Sequence, residues 1–231
     1  MLEIARIAGA SPRLVFLHEG LGSLSAWRDF PSWLATATGR AALIYSRAGY
    51  GRSPVRPPPW PVEFMHDEAR ALAALLDGEE AILVGHSDGA SIALLYAAEH
   101  PVRALVLEAP HVFVEDKTVA SIARLDDEVR TRLLRHHDHA AVLFDAWRDV
   151  WLRPEFRRWN IEEALPRVRA PTLVIQGDDD EYGTAAQVDA IRRKLGGPCE
   201  TLMLPACGHA PHRDQPARTL AAMTEFIAKL R

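Results

Sequence analysis

Short apolar runs recur along the chain, each about one strand long and separated from the next by polar, helix-forming sequence. LVFL (14–17), AALIY (41–45), AILV (81–84), ALVL (104–107), TLVI (172–175) and TLML (201–204) are mostly continuous rather than alternating. That is the pattern of strands buried on both faces. Between them, SAWRDFPSWLATA (25–37), VEFMHDEARALAALL (62–76) and TLAAMTEFIAKL (219–230) carry helical spacing. The alternation predicts an α/β fold, a mostly parallel central sheet with helices on both faces. MLEIARI (1–7) adds a candidate strand at one edge.

One segment breaks the alternation. From about 111 to 169 no strand pattern occurs, only charged helical sequence carrying Phe113, Phe144, Trp147, Trp151, Phe156 and Trp159. An insertion of this kind between two core strands has no place in the sheet. It is expected to lie over one end as a helical cap, with residues 1–110 and 170–231 forming the core. Most of its aromatics serve to fix the layer to the body. Trp147, Phe144, Trp151 and Phe113 are the candidates for lining a substrate pocket, because pockets in such folds open at the carboxyl ends of the strands. VRPPPWP (55–61) reads as a stiff spacer loop.

Composition narrows the partners. The 231 residues are 48% hydrophobic and 25% charged, enough for a substantial core, and the net charge of −4 offers no reason to expect nucleic acid or an anionic membrane surface. No apolar stretch approaches the roughly 20 residues that span a bilayer. The first residues lack the unbroken apolar core of a secretory signal. Cys199 and Cys207 are expected as free thiols in a cytoplasmic protein.

Candidate chemistry begins at AILVGHSDGASIALL (81–95), where an aliphatic strand pattern gives way to a helical one through Gly85-His86-Ser87-Asp88-Gly89. This fits G-x-S-x-G, a sharp strand-to-helix turn that lifts a serine clear of the backbone. A serine hydroxyl is a weak nucleophile until a base takes its proton. Of the ten histidines, His209 is preferred over His212, because it lies in the loop after the strand at 201–204 and farther from the last helix. The orienting carboxylate is expected from the acidic run after 172–175, where Asp178, Asp179, Asp180 and Glu181 crowd together. For the developing oxyanion, the Asp88 amide opens a helix whose first N–H groups lack partners. A second amide is expected from His18-Glu19-Gly20-Leu21-Gly22. The cluster His136, His137, Asp138 and His139 points in different directions on a helix and reads as a solvated face rather than a metal site.

These segments in this order resemble the α/β-hydrolase superfamily, in particular the single-domain serine esterases with a helical cap after the sixth strand. The resemblance rests on His18-Glu19-Gly20, the run Arg47 to Ser53, Gly85 to Gly89, Gly177 to Asp180, and Gly208-His209, and it spans nearly the whole chain. It implies a Ser87, Asp180, His209 triad, with Asp179 in reserve, and oxyanion donors at Asp88 and Gly20, or Leu21 if the loop is shifted by one. Glu19 departs from the family, which places glycine there. The first antiparallel hairpin is expected to be trimmed. The implied function is hydrolysis of small, largely apolar carboxylic esters through an acyl-enzyme, with no cofactor or metal. Carbon–carbon hydrolysis of ring-cleavage products is the alternative, as is a slow-turnover ligand sensor on the same scaffold.

Overall fold

In a computed structural model, which describes residues 1–230, seven strands form one sheet in the order β1-β3-β2-β4-β5-β6-β7. They are β1 (Ile4–Ile7), β2 (Ala10–Leu17), β3 (Arg40–Tyr45), β4 (Ala81–His86), β5 (Ala104–Glu108), β6 (Thr172–Gly177) and β7 (Cys199–Leu204). Only β1 runs antiparallel, pairing with β3; every other neighbour is parallel. One antiparallel edge strand therefore stands where the resemblance implies a hairpin. As a result the insertion follows the fifth strand of this chain, not a sixth.

Side chains of a strand alternate between sheet faces, so each apolar run feeds two cores. Val15, Leu17 and Leu83 pack on one side with α2 (Phe64–Leu76), α3 (Asp88–Ala97) and later α7 (Ala185–Lys194). Leu14, Phe16, Ile82 and Val84 pack on the other with α1 (Phe30–Thr38) and α9 (Pro216–Ala228). Every residue of α3 is buried, which small side chains such as Gly89, Ala90 and Ala93 make sterically workable. No helix among the described residues is long and apolar enough to cross a membrane.

The helix expected over 25–37 is two pieces. A 3₁₀ turn covers Leu24–Trp27, and α1 begins only at Phe30, with Pro31 in its first turn. Proline lacks the N–H and its ring clashes with the carbonyl four residues back, so a continuous helix through position 31 is excluded. Arg28 takes up the break with φ 51°.

Between β5 and β6 lie α4 (Asp116–Ala123), α5 (Asp127–Leu133), α6 (Ala140–Leu152) and two 3₁₀ segments, Pro154–Arg158 and Glu162–Arg167. The only bridge in this stretch joins Phe113 to Asn160. Leu143, Trp147, Val150 and Trp151 of α6 are buried in the first core. The short α8 (Pro211–Asp214) precedes α9. Both cysteines are free thiols.

Candidate active site

Four loops meet at the carboxyl ends of β2, β4, β6 and β7, where sheets of this kind hold their ligands. β4 runs without interruption into Ser87, which sits at φ 53°, ψ −119°. A side chain in this region is strained by on the order of 1–3 kcal/mol. The turn is held by Ser87 N–H donating to the Glu108 carbonyl at 2.9 Å and by Ala90 N–H donating back to the Ser87 carbonyl at 2.9 Å. Its glycines are forced by close approach: a Cβ on Gly89 would lie 2.1 Å from the Leu17 carbonyl oxygen, and one on Gly85 2.6 Å from that of Gly89. Ser87 lines a cavity of about 360 Å³ together with His209, His111 and Tyr182.

His209 follows β7 and donates Nδ1–H to Asp180, 2.8 Å from Oδ2 and 2.9 Å from Oδ1. With Nδ1 carrying the proton, Nε2 of the neutral ring is left as an acceptor. Asp180 is buried, whereas Asp178 and Asp179 are exposed. Its carboxylate also accepts from Gln176 Nε2 at 2.6 Å, Tyr182 N–H at 2.7 Å and Gly183 N–H at 3.2 Å. Burial alone would raise its pKa, but the hydrogen bond and charge of His209 and the backbone donors hold it well below the usual carboxylate range. Among the described residues no hydrogen bond joins Ser87 Oγ to the His209 ring; the two share the cavity wall. Such bonds commonly tighten only in the substrate complex.

Two amides are available for an oxyanion. Asp88 N–H opens α3, and Gly20 N–H lies in the loop after β2; both residues line the cavity. Leu21 lines the cavity as well, and the peptide ahead of Gly20 is fixed from the core. Arg47 Nη2 donates to the Glu19 carbonyl at 3.0 Å, and His18 Nδ1–H donates to the same oxygen at 2.8 Å. In a trans peptide the C=O and the next N–H point oppositely, so the Gly20 N–H is turned away from Arg47. Arg47 is fully buried, stacks over Tyr50 at 4.3 Å, and also donates to the His18 carbonyl at 3.2 Å. Burial and the Arg47 charge keep His18 neutral. Neither residue's contribution was visible in spacing, since the clamp links positions about thirty residues apart.

Two other carboxylates lie close to the site. The Asp88 side chain accepts from Trp147 Nε1–H at 2.8 Å. Burial raises its pKa, against the pull of Arg47. Glu19 turns its Oε2 toward His86 Nδ1 at 3.4 Å, while His86 Nε2–H donates to the His209 carbonyl at 2.7 Å. Against a burial cost, the contact and charge of His86 hold Glu19 well below the ordinary range. The residue ahead of the serine thus bonds to the His209 loop and faces the Glu19 carboxylate, a role the pentapeptide pattern does not announce.

The aromatic expectations divide. Trp147 and Trp151 line the cavity. Phe144 and Phe113 do not: Phe144 is buried away from it, and Phe113 is held in the bridge to Asn160, its carbonyl accepting from Gln187 Nε2 at 3.1 Å. Only part of a helix's circumference can face one cavity, and on α6 that part carries Trp147 and Trp151, one turn apart. Leu21, Ile122, Leu125 and Val129 complete an apolar wall. His137 corrects the reading of its cluster as a solvated face. It is buried, accepts from Gly51 N–H at 2.8 Å, and donates Nε2–H to the Leu21 carbonyl at 3.0 Å.

A parallel sheet with a strained serine at a strand-to-helix turn and an Asp–His pair beside it defines a hydrolase-type scaffold. Residues 14–222 match the Alpha/beta hydrolase family, and the chain belongs to it. It is similar to the sn-1-specific diacylglycerol lipase ABHD11 of Mus musculus, 25% identical over 94% of this chain and 81% of that one. It is also similar to the serine hydrolase BPHL of Mus musculus, 28% identical over 85% of this chain and 72% of the relative. Among solved structures, a bacterial membrane phospholipase A superposes with a TM-score of 0.80 at 22% identity, covering 100% of this chain and 84% of that one.

Proposed function

We propose that this hydrolase cleaves small, largely apolar carboxylic esters through an acyl-enzyme on Ser87. The observation that carries the reading is His209, held by Asp180 at 2.8 Å and facing the same cavity as a strained serine. Ser87 Oγ attacks the acyl carbonyl while His209 Nε2 takes its proton, and Asp180 holds the imidazole tautomer and balances the imidazolium. The Gly20 and Asp88 amides receive the negative charge that builds on the carbonyl oxygen. His209 returns the proton to the departing alcohol. Water, activated by the same nitrogen, then releases the acid and restores Ser87.

One wall of the cavity supports this substrate class. Leu21, Ile122, Leu125, Val129, Trp147 and Trp151 give an apolar surface on one side of a cavity of about 360 Å³, near the lower end of small-molecule sites, whose remaining lining includes Glu19, Arg132, Glu181 and Arg213. This suits a short acyl chain or a compact alcohol. The helical segment at 111–169 acts as the cap that supplies most of that wall. The test is a series of p-nitrophenyl esters of increasing acyl length, run on wild-type protein and Ser87→Ala. Preference for short to medium chains, with kcat reduced on the order of 10⁴-fold in the variant, supports the reading. Efficient turnover of a vinylogous dienoate with negligible ester turnover would replace it with carbon–carbon hydrolysis.

A further inference from the structure

We infer that Trp147 is a positioning residue through which the helical insertion completes the oxyanion hole, an inference that rests on the acyl-enzyme reading above. The two candidate donors come from separate loops of the core, one after β2 and one at the start of α3. The second carries a liability. Asp88 offers its amide to the oxyanion, yet its own carboxylate is fully buried, and swung toward the same point it would oppose the charge that forms there.

One indole meets both donors. Trp147 Nε1–H donates to Asp88 Oδ2 at 2.8 Å, and Asp88 Oδ1 has no partner among the described side chains. Hence the Trp147 hydrogen bond is what holds that carboxylate aside. The same ring covers Gly20: its Cε2, Nε1 and Cζ2 atoms lie 2.5–2.6 Å from where a Cβ at that position would stand. Only glycine admits this approach. The ring itself is anchored in the insertion, packing on Trp151 at 5.9 Å between centroids, with Trp151 on Phe156 at 4.7 Å, all three buried. From the opposite side Arg47 fixes the Glu19 carbonyl. The Glu19–Gly20 peptide is therefore held between a core arginine and an insertion tryptophan. Docking of the insertion thereby sets the geometry of a site whose reacting groups all lie in the core.

A residue that merely lines the pocket would act on substrate binding, so the test separates kcat from KM. Trp147→Phe keeps an aromatic ring and loses the N–H. It is expected to lower kcat for p-nitrophenyl butyrate 10- to 100-fold with KM within about threefold, a loss smaller than removing an oxyanion donor outright. Affinity for phenylboronic acid, which forms a tetrahedral adduct on the serine, should fall by the same factor as kcat/KM. Affinity for p-nitrophenyl butyl ether should not. Asp88→Asn added to Trp147→Phe is expected to restore kcat at least tenfold over Trp147→Phe alone, because the opposing charge is gone. An unchanged kcat in Trp147→Phe, a parallel loss of ether and boronate affinity, or no restoration by Asp88→Asn overturns the inference. Should Trp147→Phe not fold, the indole Nε1–H resonance of the wild-type protein serves: it is expected to stay protected from exchange in the boronate adduct, and loss of protection overturns the inference. Wild-type protein that neither hydrolyses ester nor binds boronate overturns the acyl-enzyme reading and this inference with it, whereas active wild type with an unaffected Trp147→Phe overturns this inference alone.

Discussion

His212 donates Nδ1–H to Glu108 at 2.8 Å, and its backbone N–H reaches the same carboxylate oxygen at 3.0 Å. The pair has the chemistry of His209 and Asp180, three residues along the chain, but both side chains are buried. Neither His212 nor Glu108 lines the cavity. It is a structural pair. Burial would raise the Glu108 carboxyl, and His212 holds it below its ordinary value instead.

Removing one member leaves the other buried and uncompensated, which costs on the order of 3–5 kcal/mol. Glu108→Gln and His212→Gln are expected to lower the urea midpoint strongly. In the fraction that remains folded, kcat should stay within about threefold of wild type. Active-site titration with urea unfolding distinguishes this from His209→Gln, which should abolish turnover in the folded protein, with a smaller loss of stability because Gln176 and the Tyr182 and Gly183 amides still hold Asp180.

The acidic run after β6 offers a second contrast. Asp180→Asn removes the acceptor that fixes His209, and kcat is expected to fall on the order of 10⁴-fold, the cost seen when a triad tautomer is lost. Asp179→Asn, at an exposed side chain, should leave kcat unchanged. The stability that Asp180 contributes has a defined sign: its folded pKa is depressed, so the contribution is complete above the unfolded value of about 3.9 and is lost as pH falls below it. The difference in unfolding free energy between wild type and Asp180→Asn should be flat from pH 5 to 8 and shrink below about pH 4.

Neutral buried histidines set a milder acid limit. Burial first, with neighbouring positive charge, pushes His111 down to about 3 and His137 down to about 4, and places His18 well below its ordinary value. The unfolded chain takes up these protons below about 6.5, whereas the folded one does not. Stability is therefore lost as pH drops from about 6.5 toward those folded values. His137→Gln should flatten the slope of unfolding free energy against pH between 6 and 4.5 by up to one proton, at most about 1.4 kcal/mol per pH unit. An unchanged slope would contradict the buried, neutral assignment.

How much of this was legible beforehand depends on whether the cause is local. The strand at 81–84 and the turn beyond it announce themselves because glycine, serine and glycine interrupt an aliphatic run, and the structure extends that strand only to His86. The scheme of core strands and the order of site loops were readable for the same reason. The choice of Asp180 within Asp178-Asp179-Asp180 was not local; it depends on which carboxylate the loop buries, and the family resemblance supplied it. Arg47, His18 and His137 act through backbone carbonyls brought near by the sheet, so no spacing reveals them. Phe144 and Trp147 are equally aromatic and three residues apart, yet only docking decides that one meets the cavity. The helix across 25–37 failed for a readable reason, Pro31.

The turn at Ser87 should also leave a trace in stability. With φ at 53°, Ser87→Ala keeps the strain and Ser87→Gly relieves it, so the glycine variant is expected to unfold about 1 kcal/mol later than the alanine variant. A glycine variant no more stable than the alanine one would contradict a strained nucleophile turn.

Covalent labelling interrogates the acyl-enzyme most directly. Protein incubated with a fluorophosphonate, digested and weighed by mass spectrometry should carry one adduct, on the peptide containing Ser87, with ester turnover lost in proportion to labelling. Full ester turnover in protein whose Ser87 remains unmodified, or an adduct confined to another residue, would contradict the account.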